Sequence, residues 1–185
     1  MADEKQVLLE QADLARIISR MAHEIVEKSP GPSELVLIGI RSRGVHLARR
    51  LARRIHETDK LAPPVGVIDV TPYRDDRSEG QGTTAVREFE VPVAVDDKIV
   101  VLVDDVIFRG RTIRAAMEAV EGLGRPKCML VAVLIDRGSR ELPIRADIVG
   151  KNLTPGDGKR INVLLEESDG VDQVTTANWQ ARRSS

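Results

Sequence analysis

An apolar run that ends in two acids and a glycine-containing loop carries the strongest chemical signal in the chain. Residues 100–103 are apolar, Asp104 and Asp105 follow them, and Gly110 and Thr112 come shortly afterwards. If a helix begins near Thr112, its free N–H groups, the loop backbone and the threonine hydroxyl form a site for a phosphate. Two carboxylates beside a phosphate suit the hydroxyls of a sugar and favour a nearby Mg²⁺. The segment therefore indicates a site for a phosphorylated sugar.

Neither of the two common phosphate-binding loops matches this segment. It lacks the G-x-x-x-x-G-K-[ST] spacing of a P-loop and the G-x-G-x-x-G spacing of a dinucleotide fold. An aspartate pair alone would favour a structural role, in which the acids end the strand and cap the next helix. The apolar run before the pair and the Gly-x-Thr spacing after it favour the phosphate site instead.

A second cluster with phosphate-binding chemistry follows the apolar run 35–40. Arg41, Ser42, Arg43 and Gly44 come directly after that run. Arginine suits phosphate because its planar fork can donate two hydrogen bonds to phosphate oxygens. The alternative for Arg43 is a surface arginine near a helix N-terminus, but the helix dipole disfavours a cation there unless an anion is bound.

Apolar stripes at helical spacing alternate with short apolar runs, and this alternation predicts the elements that position both clusters. The predicted helices cover 12–28, 44–57 and 112–123, the predicted buried strands cover 35–40, 65–70, 99–103 and 128–135, and a polar loop or flap covers 73–88. The order α-β-α-β-flap-β-α-β is typical of an α/β fold, a parallel sheet with helices on both faces. Ligands of such sheets bind beyond the carboxyl ends of the strands, so the chemistry is expected after residues 40, 70, 103 and 135.

Composition bounds the classes of function that the chain can have. Its 185 residues fit one domain, with or without a flap. Lys and Arg number 28 against 29 Asp and Glu, a net charge of −1, which excludes binding of nucleic acid or anionic membrane through overall positive charge. Aromatic residues make up 2%, too few for a platform that stacks single-stranded bases. Any site for a polyanion is therefore a local patch.

Cys128 is the single cysteine, so an intramolecular disulfide is impossible, and its place in the apolar run 128–135 predicts a buried side chain. The three histidines share no spacing typical of metal ligands, so a zinc site is not expected. The polar N-terminus lacks a signal peptide, and no apolar run reaches the roughly 20 residues that span a bilayer. We therefore expect a soluble, cytoplasmic protein with no membrane partner.

Residues 100–112 resemble the phosphoribosyl-pyrophosphate (PRPP) motif of type I phosphoribosyltransferases. Residues 38–44 are similar to the pyrophosphate loop of that fold, and residues 73–76 and 86–88 resemble the start and the return of its catalytic flap. The chain also resembles, from about residue 8 to residue 174, the bifunctional pyrimidine-operon regulators that are uracil phosphoribosyltransferases. This narrower resemblance is carried by residues 19–24, 136–138, 140–147 and 149–152.

The resemblance implies a type I phosphoribosyltransferase fold in a single domain, residues 1–185, with a flexible flap at about 73–90. A small hood would be built from the N-terminal and C-terminal segments. The implied reaction converts uracil and PRPP to UMP and pyrophosphate with Mg²⁺. The implied second activity is UMP-dependent binding to pyrimidine-operon leader mRNA, which promotes transcription termination. Because the RNA surface of the family spans two chains, we expect at least a homodimer.

The resemblance also implies roles for individual residues. Asp104 and Asp105 would hold the ribose and stabilise its developing positive charge, and Arg87 would close over the pyrophosphate from the flap. Mg²⁺ would bind through PRPP without dedicated protein ligands, with Asp104 or Asp105 as the candidate side chains. The residues implied to bind PRPP or UMP are Arg41, Ser42, Arg43, Gly44, Val106, Ile107, Phe108, Arg109, Gly110, Arg111, Thr112 and Arg137. Those implied to bind RNA are Arg20, His23, Arg140, Arg145 and Lys151.

Structural and functional alternatives remain open at this point. Arg20 and His23 could lie on a solvated helix face, and Arg145 could form an ion pair with Asp147 or Glu141. The enzyme could be a phosphoribosyltransferase for another base. The protein could also be a nucleotide-sensing RNA-binding regulator with vestigial catalysis.

Five departures from the family pattern bear on these expectations. Ser139 stands where a histidine is usual, and residues 154–158 replace a Pro-Thr-Ser run, both on the RNA side. Ser42 replaces a threonine, Pro72 an apolar residue and Arg109 a small hydroxyl residue, all on the catalytic side. We therefore expect a retained phosphoribosyl site and a less secure RNA attenuation, with altered specificity. For Arg109 we expect an added contact to the 5′-phosphate or to a neighbouring subunit.

Overall fold

Helices and strands alternate through most of the chain in the computed structural model, which describes residues 6–70, 89–156 and 158–178. Pro72 and the predicted flap at about 73–90, which includes Arg87, lie outside these residues apart from Phe89 and Glu90. In chain order the elements are β1 (Gln6–Glu10), α1 (Gln11–Glu27), a 3-10 turn (Pro32–Glu34), β2 (Leu35–Ile40), α2 (Arg43–Asp59), β3 (Val65–Ile68), β4 (Phe89–Glu90), β5 (Ile99–Ile107), α3 (Arg111–Glu121), β6 (Cys128–Asp136), β7 (Ile148–Asn152), β8 (Lys159–Leu164), α4 (Glu166–Asp169) and β9 (Gln173–Asn178).

The central sheet has the strand order β4-β3-β2-β5-β6-β7. The strands β3, β2, β5, β6 and β7 are parallel to one another, so the predicted α/β architecture is confirmed. The edge strand β4 differs because it runs antiparallel to β3, through only two residue pairs. The sheet is therefore mixed, with its parallel part at the centre.

Each face of the central sheet is covered by helices, and this is why its strands read as uninterrupted apolar runs. Along β2, Leu35 and Leu37 belong to the core beneath α1 and α2, whereas Val36 and Ile38 belong to the core beneath α3. All six residues of β2 are buried. No helix in the described part of the chain is long and apolar enough to cross a membrane.

Several predicted details of these elements differ from the structure, among them the ends of β3 at Ile68 and of α3 at Glu121. Strand β5 does not stop at residue 103, because its pairing with β6 continues to Ile107 opposite Asp136. Helix α2 runs two residues further than predicted and is followed by Lys60 in the left-handed conformation, with φ of 61°. The prediction that Cys128 is buried is wrong: the thiol is exposed because Cys128 is the first residue of β6, at the amino edge of the sheet.

A second, three-stranded antiparallel sheet contains both ends of the described chain, in the order β1-β9-β8. The sequence predicted none of these strands because each holds at most three consecutive apolar residues beside polar ones, as in Gln173-Val174-Thr175-Thr176 of β9. We call this sheet, together with the short helix α4, the hood.

Candidate active site

The two acids predicted to hold a sugar lie at the carboxyl end of β5. Asp104 is buried and Asp105 half-buried. The Asp105 N–H donates to Oδ1 of Asp104 at 2.8 Å, and the Val106 N–H donates to Oδ1 of Asp105 at 2.9 Å. These backbone donors fix the orientation of both carboxylates, as a preorganised electrostatic site requires.

The N-terminus of α2 packs directly against this acid pair. A Cβ atom on Gly44 would lie 3.2 Å from the Asp104 Cα and would collide with the Val103 carbonyl oxygen. Glycine is therefore needed at position 44 for the close approach of the two backbones. The peptide bond between Arg41 and Ser42 is cis. The predicted pyrophosphate loop and the predicted sugar-binding acids thus form one site.

The turn between β5 and α3 lies where the phosphate loop is predicted, and it is shorter than predicted. Val106 and Ile107 belong to β5 and pair with β6, which leaves Phe108 to Gly110 as the loop. Gly110 has a φ of 95°, a left-handed conformation that favours glycine, and α3 begins at the next residue. Thr112 lies half-buried in the first turn of α3. The loop backbone and the helix N-terminus are thus placed as an anion site requires.

Arg140 ties the segment after β6 to the phosphate loop. Its guanidinium donates to the carbonyl of Phe108 at 2.8 Å, to that of Ile144 at 2.9 Å and to Oδ2 of Asp136 at 2.6 Å. Nε, Nη1 and Nη2 are all engaged in these internal bonds, which brace the phosphate loop. The RNA contact predicted for Arg140 therefore has no structural support, because the side chain is directed into the molecule.

Arg109 belongs to this loop, Arg111 follows it at the start of α3, and Arg137 packs against it. Arg109 and Arg111 both form ion pairs with Glu141, at 3.2 and 2.7 Å. The Arg137 guanidinium lies 4.0 Å from the centre of the Phe108 ring, and its pKa is lowered by burial and by the neighbouring Arg109. The ion pair to Glu141 is a contact that neither predicted role of Arg109 included.

Arg43 is directed away from the acid pair and towards the hood. Its Nε and Nη2 donate to the two carboxylate oxygens of Asp169, at 3.1 and 2.8 Å. Arg41 is half-buried, and its backbone N–H donates to the Ile68 carbonyl. Ser42 is exposed at the N-cap of α2. The predicted phosphate-binding residues of this loop are thus together, but the guanidinium of Arg43 is held by an acid.

Residues 6–166 match the family model of the phosphoribosyl transferase domain. A protein of Pelotomaculum thermopropionicum is 52% identical over 174 residues, which are 94% of this chain and 96% of the relative. One of Streptomyces coelicolor is 49% identical over 92% of this chain and 89% of the relative. Both are named bifunctional protein PyrR. The chain belongs to the phosphoribosyltransferase family and, within it, to the PyrR proteins.

Solved structures agree with this membership at the level of the fold. A hypoxanthine-guanine phosphoribosyltransferase of Bacillus anthracis has a TM-score of 0.72 at 19% identity, with 96% of this chain and 99% of that chain covered. The hypoxanthine phosphoribosyltransferase of Trypanosoma cruzi has a TM-score of 0.71 at 17% identity, with 94% and 96% covered. The predicted fold class and the predicted PyrR resemblance are confirmed.

Most residues expected to contact RNA in this PyrR-family protein cluster at one edge of the central sheet. Arg20 on α1 donates to the carbonyls of Val149 and Gly150 on the edge strand β7, at 2.9 and 2.6 Å. His23 is exposed one turn further along α1, and Lys151 is exposed on β7. Arg145 is exposed in the segment that leads into β7.

The ion pairs considered for Arg145 are not formed in the described structure. Glu141 is paired with Arg109 and Arg111. The Asp147 carboxylate accepts the N–H of Val131 at 2.8 Å. Both acids therefore have other partners, and the Arg145 side chain lies at the surface.

A cluster of charges that the sequence analysis missed joins α2 to the hood. Arg50 forms bidentate pairs with both Glu167 and Asp172, at distances between 2.6 and 2.9 Å. The Arg50 hydrogen bonds lower the pKa of Glu167 and raise that of Arg50 itself. Burial raises the pKa of Asp172, but hydrogen bonds from Arg50 and from the Glu166 N–H outweigh it, so this pKa is also lowered. The only sequence signal for this cluster was the run of acids at 166–172. Arg50, which pairs with them, lies more than 100 positions earlier in the chain.

The phosphoribosyltransferase family uses Mg²⁺ together with PRPP, and the donor set of this site fits that arrangement. Within residues 6–70, 89–156 and 158–178, no three His, Cys, Asp or Glu side chains are grouped so that they could hold a metal ion. Asp104 and Asp105 supply the hard oxygen ligands that Mg²⁺ prefers, and Mg²⁺ commonly binds through one or two carboxylates and substrate phosphates. These two residues would hold the ion from the protein side.

Proposed function

We propose that this PyrR-family protein transfers a phosphoribosyl group from PRPP to uracil, and that the product UMP controls its binding to pyrimidine-operon leader mRNA. One observation carries the enzymatic part. The acid pair at the end of β5 lies directly beside the phosphate loop and the N-terminus of α2. A ribose that carries one phosphate and one pyrophosphate needs these three features together.

In the proposed reaction, the bond from C1′ to the pyrophosphate oxygen breaks, a bond from C1′ to uracil N1 forms, and the N1 proton is released. Positive charge develops on the ribose as the first bond breaks. Asp104 and Asp105 accept hydrogen bonds from the ribose hydroxyls and stabilise that charge electrostatically. When bound, Mg²⁺ neutralises charge on the leaving pyrophosphate.

The two phosphate groups are assigned to two loops. The 5′-phosphate lies against the backbone of Phe108 to Gly110 and the N-terminus of α3, where the Thr112 hydroxyl is available. The pyrophosphate lies against residues 41–44, with Arg43 as its arginine ligand and Arg87 contributed by the flap. The base lies near Arg137, whose Nη2 bonds to the Lys159 carbonyl and so links the segment after β6 to the hood.

The RNA surface is assigned to Arg20, His23, Arg145 and Lys151 at the β7 edge. Arg140 is left out, because its donors brace the phosphate loop. Glu24 and Glu27 lie beside Arg20 and His23 in the same surface groove, so the positive charge is local and moderate. A homodimer that joins two such edges would enlarge the surface. Because the proposed partners, leader mRNA and PRPP, occur in the bacterial cytoplasm, we assign the protein to that compartment.

Turnover with PRPP and Mg²⁺ against uracil, orotate, hypoxanthine and guanine tests the enzymatic proposal. We expect UMP formation with uracil and little product with the other bases. A comparable rate with another base would contradict the uracil assignment.

Gel shifts with a pyrimidine-leader hairpin, with and without UMP, test the regulatory proposal. We expect binding that tightens when UMP is added. UMP-dependent RNA binding without turnover of any base would instead identify a nucleotide-sensing regulator with vestigial catalysis.

A further inference from the structure

The contact between Arg43 and Asp169 joins the pyrophosphate loop to the hood. Arg43 is the first residue of α2, directly before the glycine that packs on the acid pair. Its Nε and Nη2 face both oxygens of Asp169, at 3.1 and 2.8 Å, and the side chains are only 27% and 19% exposed. This edge of the guanidinium is therefore fully occupied by a carboxylate.

Asp169 is held in place without help from Arg43. Its Oδ2 accepts the Leu165 N–H and the Ser168 hydroxyl, both at 2.9 Å. The hydrogen bonds from Arg43 lower the pKa of Asp169 to about 2, so the carboxylate is ionised at neutral pH. The acid would keep its position and its charge if Arg43 moved away.

The hood does not depend on this contact for its attachment to α2. Arg50, two turns along the same helix, makes four hydrogen bonds to Glu167 and Asp172. These bonds hold one residue within α4 and one that follows it, and none of them involves Arg43. The Arg43–Asp169 pair can therefore break without release of the hood.

A cation at the N-terminus of a helix is unfavourable unless an anion lies beside it. Asp169 supplies that anion in the substrate-free protein. The planar fork of an arginine can hold one carboxylate or one phosphate on the same edge, but not both. A pyrophosphate that binds through this edge of Arg43 must displace Asp169.

We propose that Asp169 is an exchangeable counter-ion that holds Arg43 in the substrate-free enzyme and releases it to the pyrophosphate of PRPP. This inference rests on the proposed function, which assigns Arg43 to the pyrophosphate. Asp169 is then a positioning residue that lowers the affinity for PRPP, because part of the binding free energy is spent on breaking the ion pair.

The variant Asp169→Asn tests the exchange. Its amide oxygen can still accept the Leu165 N–H, but the charge that holds Arg43 is gone. Titration calorimetry with PRPP and Mg²⁺, without a base, should show a Kd lower by about three- to tenfold, as expected for a partly exposed ion pair. The KM for PRPP should fall with the Kd, whereas kcat should change little.

Asp172→Asn is the matched control, because it weakens the attachment of the hood without touching Arg43. We expect its thermal midpoint to fall and its Kd for PRPP to stay unchanged or rise. If Asp169→Asn also leaves the Kd unchanged or raises it, the exchange is refuted and the pair only supports the hood.

Arg43→Ala separates this inference from the proposed function. If it leaves the Kd for PRPP unchanged, Arg43 is not a pyrophosphate ligand. The assignment of Arg43 to the pyrophosphate and the exchange with Asp169 then fail together. If it raises the Kd while Asp169→Asn does not lower it, the pyrophosphate role stands and only the exchange fails.

The wild-type enzyme provides a measurement that needs no folded variant of Asp169. The Nε–H signal of Arg43 in a ¹⁵N NMR spectrum, assigned with Arg43→Lys, should shift when PRPP and Mg²⁺ are added. A signal that stays in place at saturating PRPP would show that Arg43 remains on Asp169, and would overturn the proposal.

Discussion

Asp104 and Asp105 are close in sequence, but their environments differ. Asp104 is 8% exposed, whereas Asp105 is half-buried and is bonded to the next backbone N–H. Both carboxylates lie near the carboxyl end of a strand that is otherwise apolar.

We expect Asp105→Asn to reduce kcat for UMP formation by about 10²–10³-fold, because it removes a preorganised negative charge at the reacting sugar. The amide oxygen can still accept the Val106 N–H, so the thermal midpoint should change little. Asp96→Asn is the control, since Asp96 also accepts a backbone N–H but lies before the amino end of β5. A steady-state rate of Asp105→Asn that matches the rates of the wild type and of Asp96→Asn would contradict the catalytic role of Asp105.

Gly44 is the residue whose small size joins two loops into one site. We expect Gly44→Ala to lower the free energy of unfolding by about 1–3 kcal/mol, as overpacking does, and to reduce activity because the acid pair is displaced. Gly156→Ala is the control, because a Cβ there has no heavy atom within 4 Å. Urea unfolding of the two variants gives the comparison, and equal stabilities would show that the backbones can separate at little cost.

At the scale of elements, the contact between α2 and α4 holds the hood on the central domain. Three acids of the hood segment, Glu167, Asp169 and Asp172, meet Arg43 and Arg50 of α2. The pKa values of all three acids are lowered in the folded protein. Such acids bind fewer protons in the folded state than in the unfolded state, so they link stability to pH.

The sign of this linkage predicts acid lability of the hood. The stabilisation that these three ion-paired acids give to the folded protein is fully present above their ordinary pKa values, 3.8 for aspartate and 4.5 for glutamate. It is lost as the pH falls towards about 2. We expect denaturant unfolding between pH 6 and pH 2.5 to show a shallower loss of stability in Asp172→Asn than in the wild type. The control Glu57→Gln removes an exposed pair with Arg54 and should keep the wild-type slope. Parallel pH profiles of all three proteins would contradict the prediction.

At the scale of the molecule, a net charge of −1 coexists with three local groups of cations. One surrounds the phosphate loop, one joins α2 to the hood, and one lies at the β7 edge. Many of the arginines have acidic partners within the described chain, as Arg109 and Arg111 have in Glu141. We therefore expect the proposed affinity for RNA to come from a few exposed cations and to depend on salt.

We expect Lys151→Ala to weaken binding of a leader hairpin and to reduce the slope of log K against log salt by roughly 0.7–0.9, the value for one phosphate contact. Arg53→Ala is the matched control, because Arg53 is exposed on α2, away from the β7 edge. Gel shifts over a range of salt concentrations measure both slopes. Equal losses for the two variants would indicate non-specific attraction and would remove the β7 edge from the RNA surface.

Much of the central domain could be predicted from the sequence because local patterns encode it. The apolar stripes of α1 and α2 and the buried runs of β2, β5 and β6 have the periods that these elements require. The segment from the acid pair to Thr112 also signals its own chemistry, because strand end, loop and helix start are adjacent in the chain. The family resemblance rests on the same local segments.

The hood and the fine structure of the site depended on contacts between distant parts of the chain. β1 pairs with β9 across nearly the whole sequence, and Arg50 meets Asp172 122 positions away. The exposure of Cys128 follows from where β6 enters the sheet, and the roles of Arg140 and Arg43 follow from partners brought in by other loops.

By itself, then, the sequence determined the parallel sheet, the phosphate loop, the acid pair and the family, because these depend on residue types at short spacing. Only the tertiary structure decided which cations are held by acids or carbonyls of the protein and which are exposed at its surface. The reason is physical: an arginine side chain is long and flexible, and its partner is set by whichever acid or carbonyl the fold places within reach.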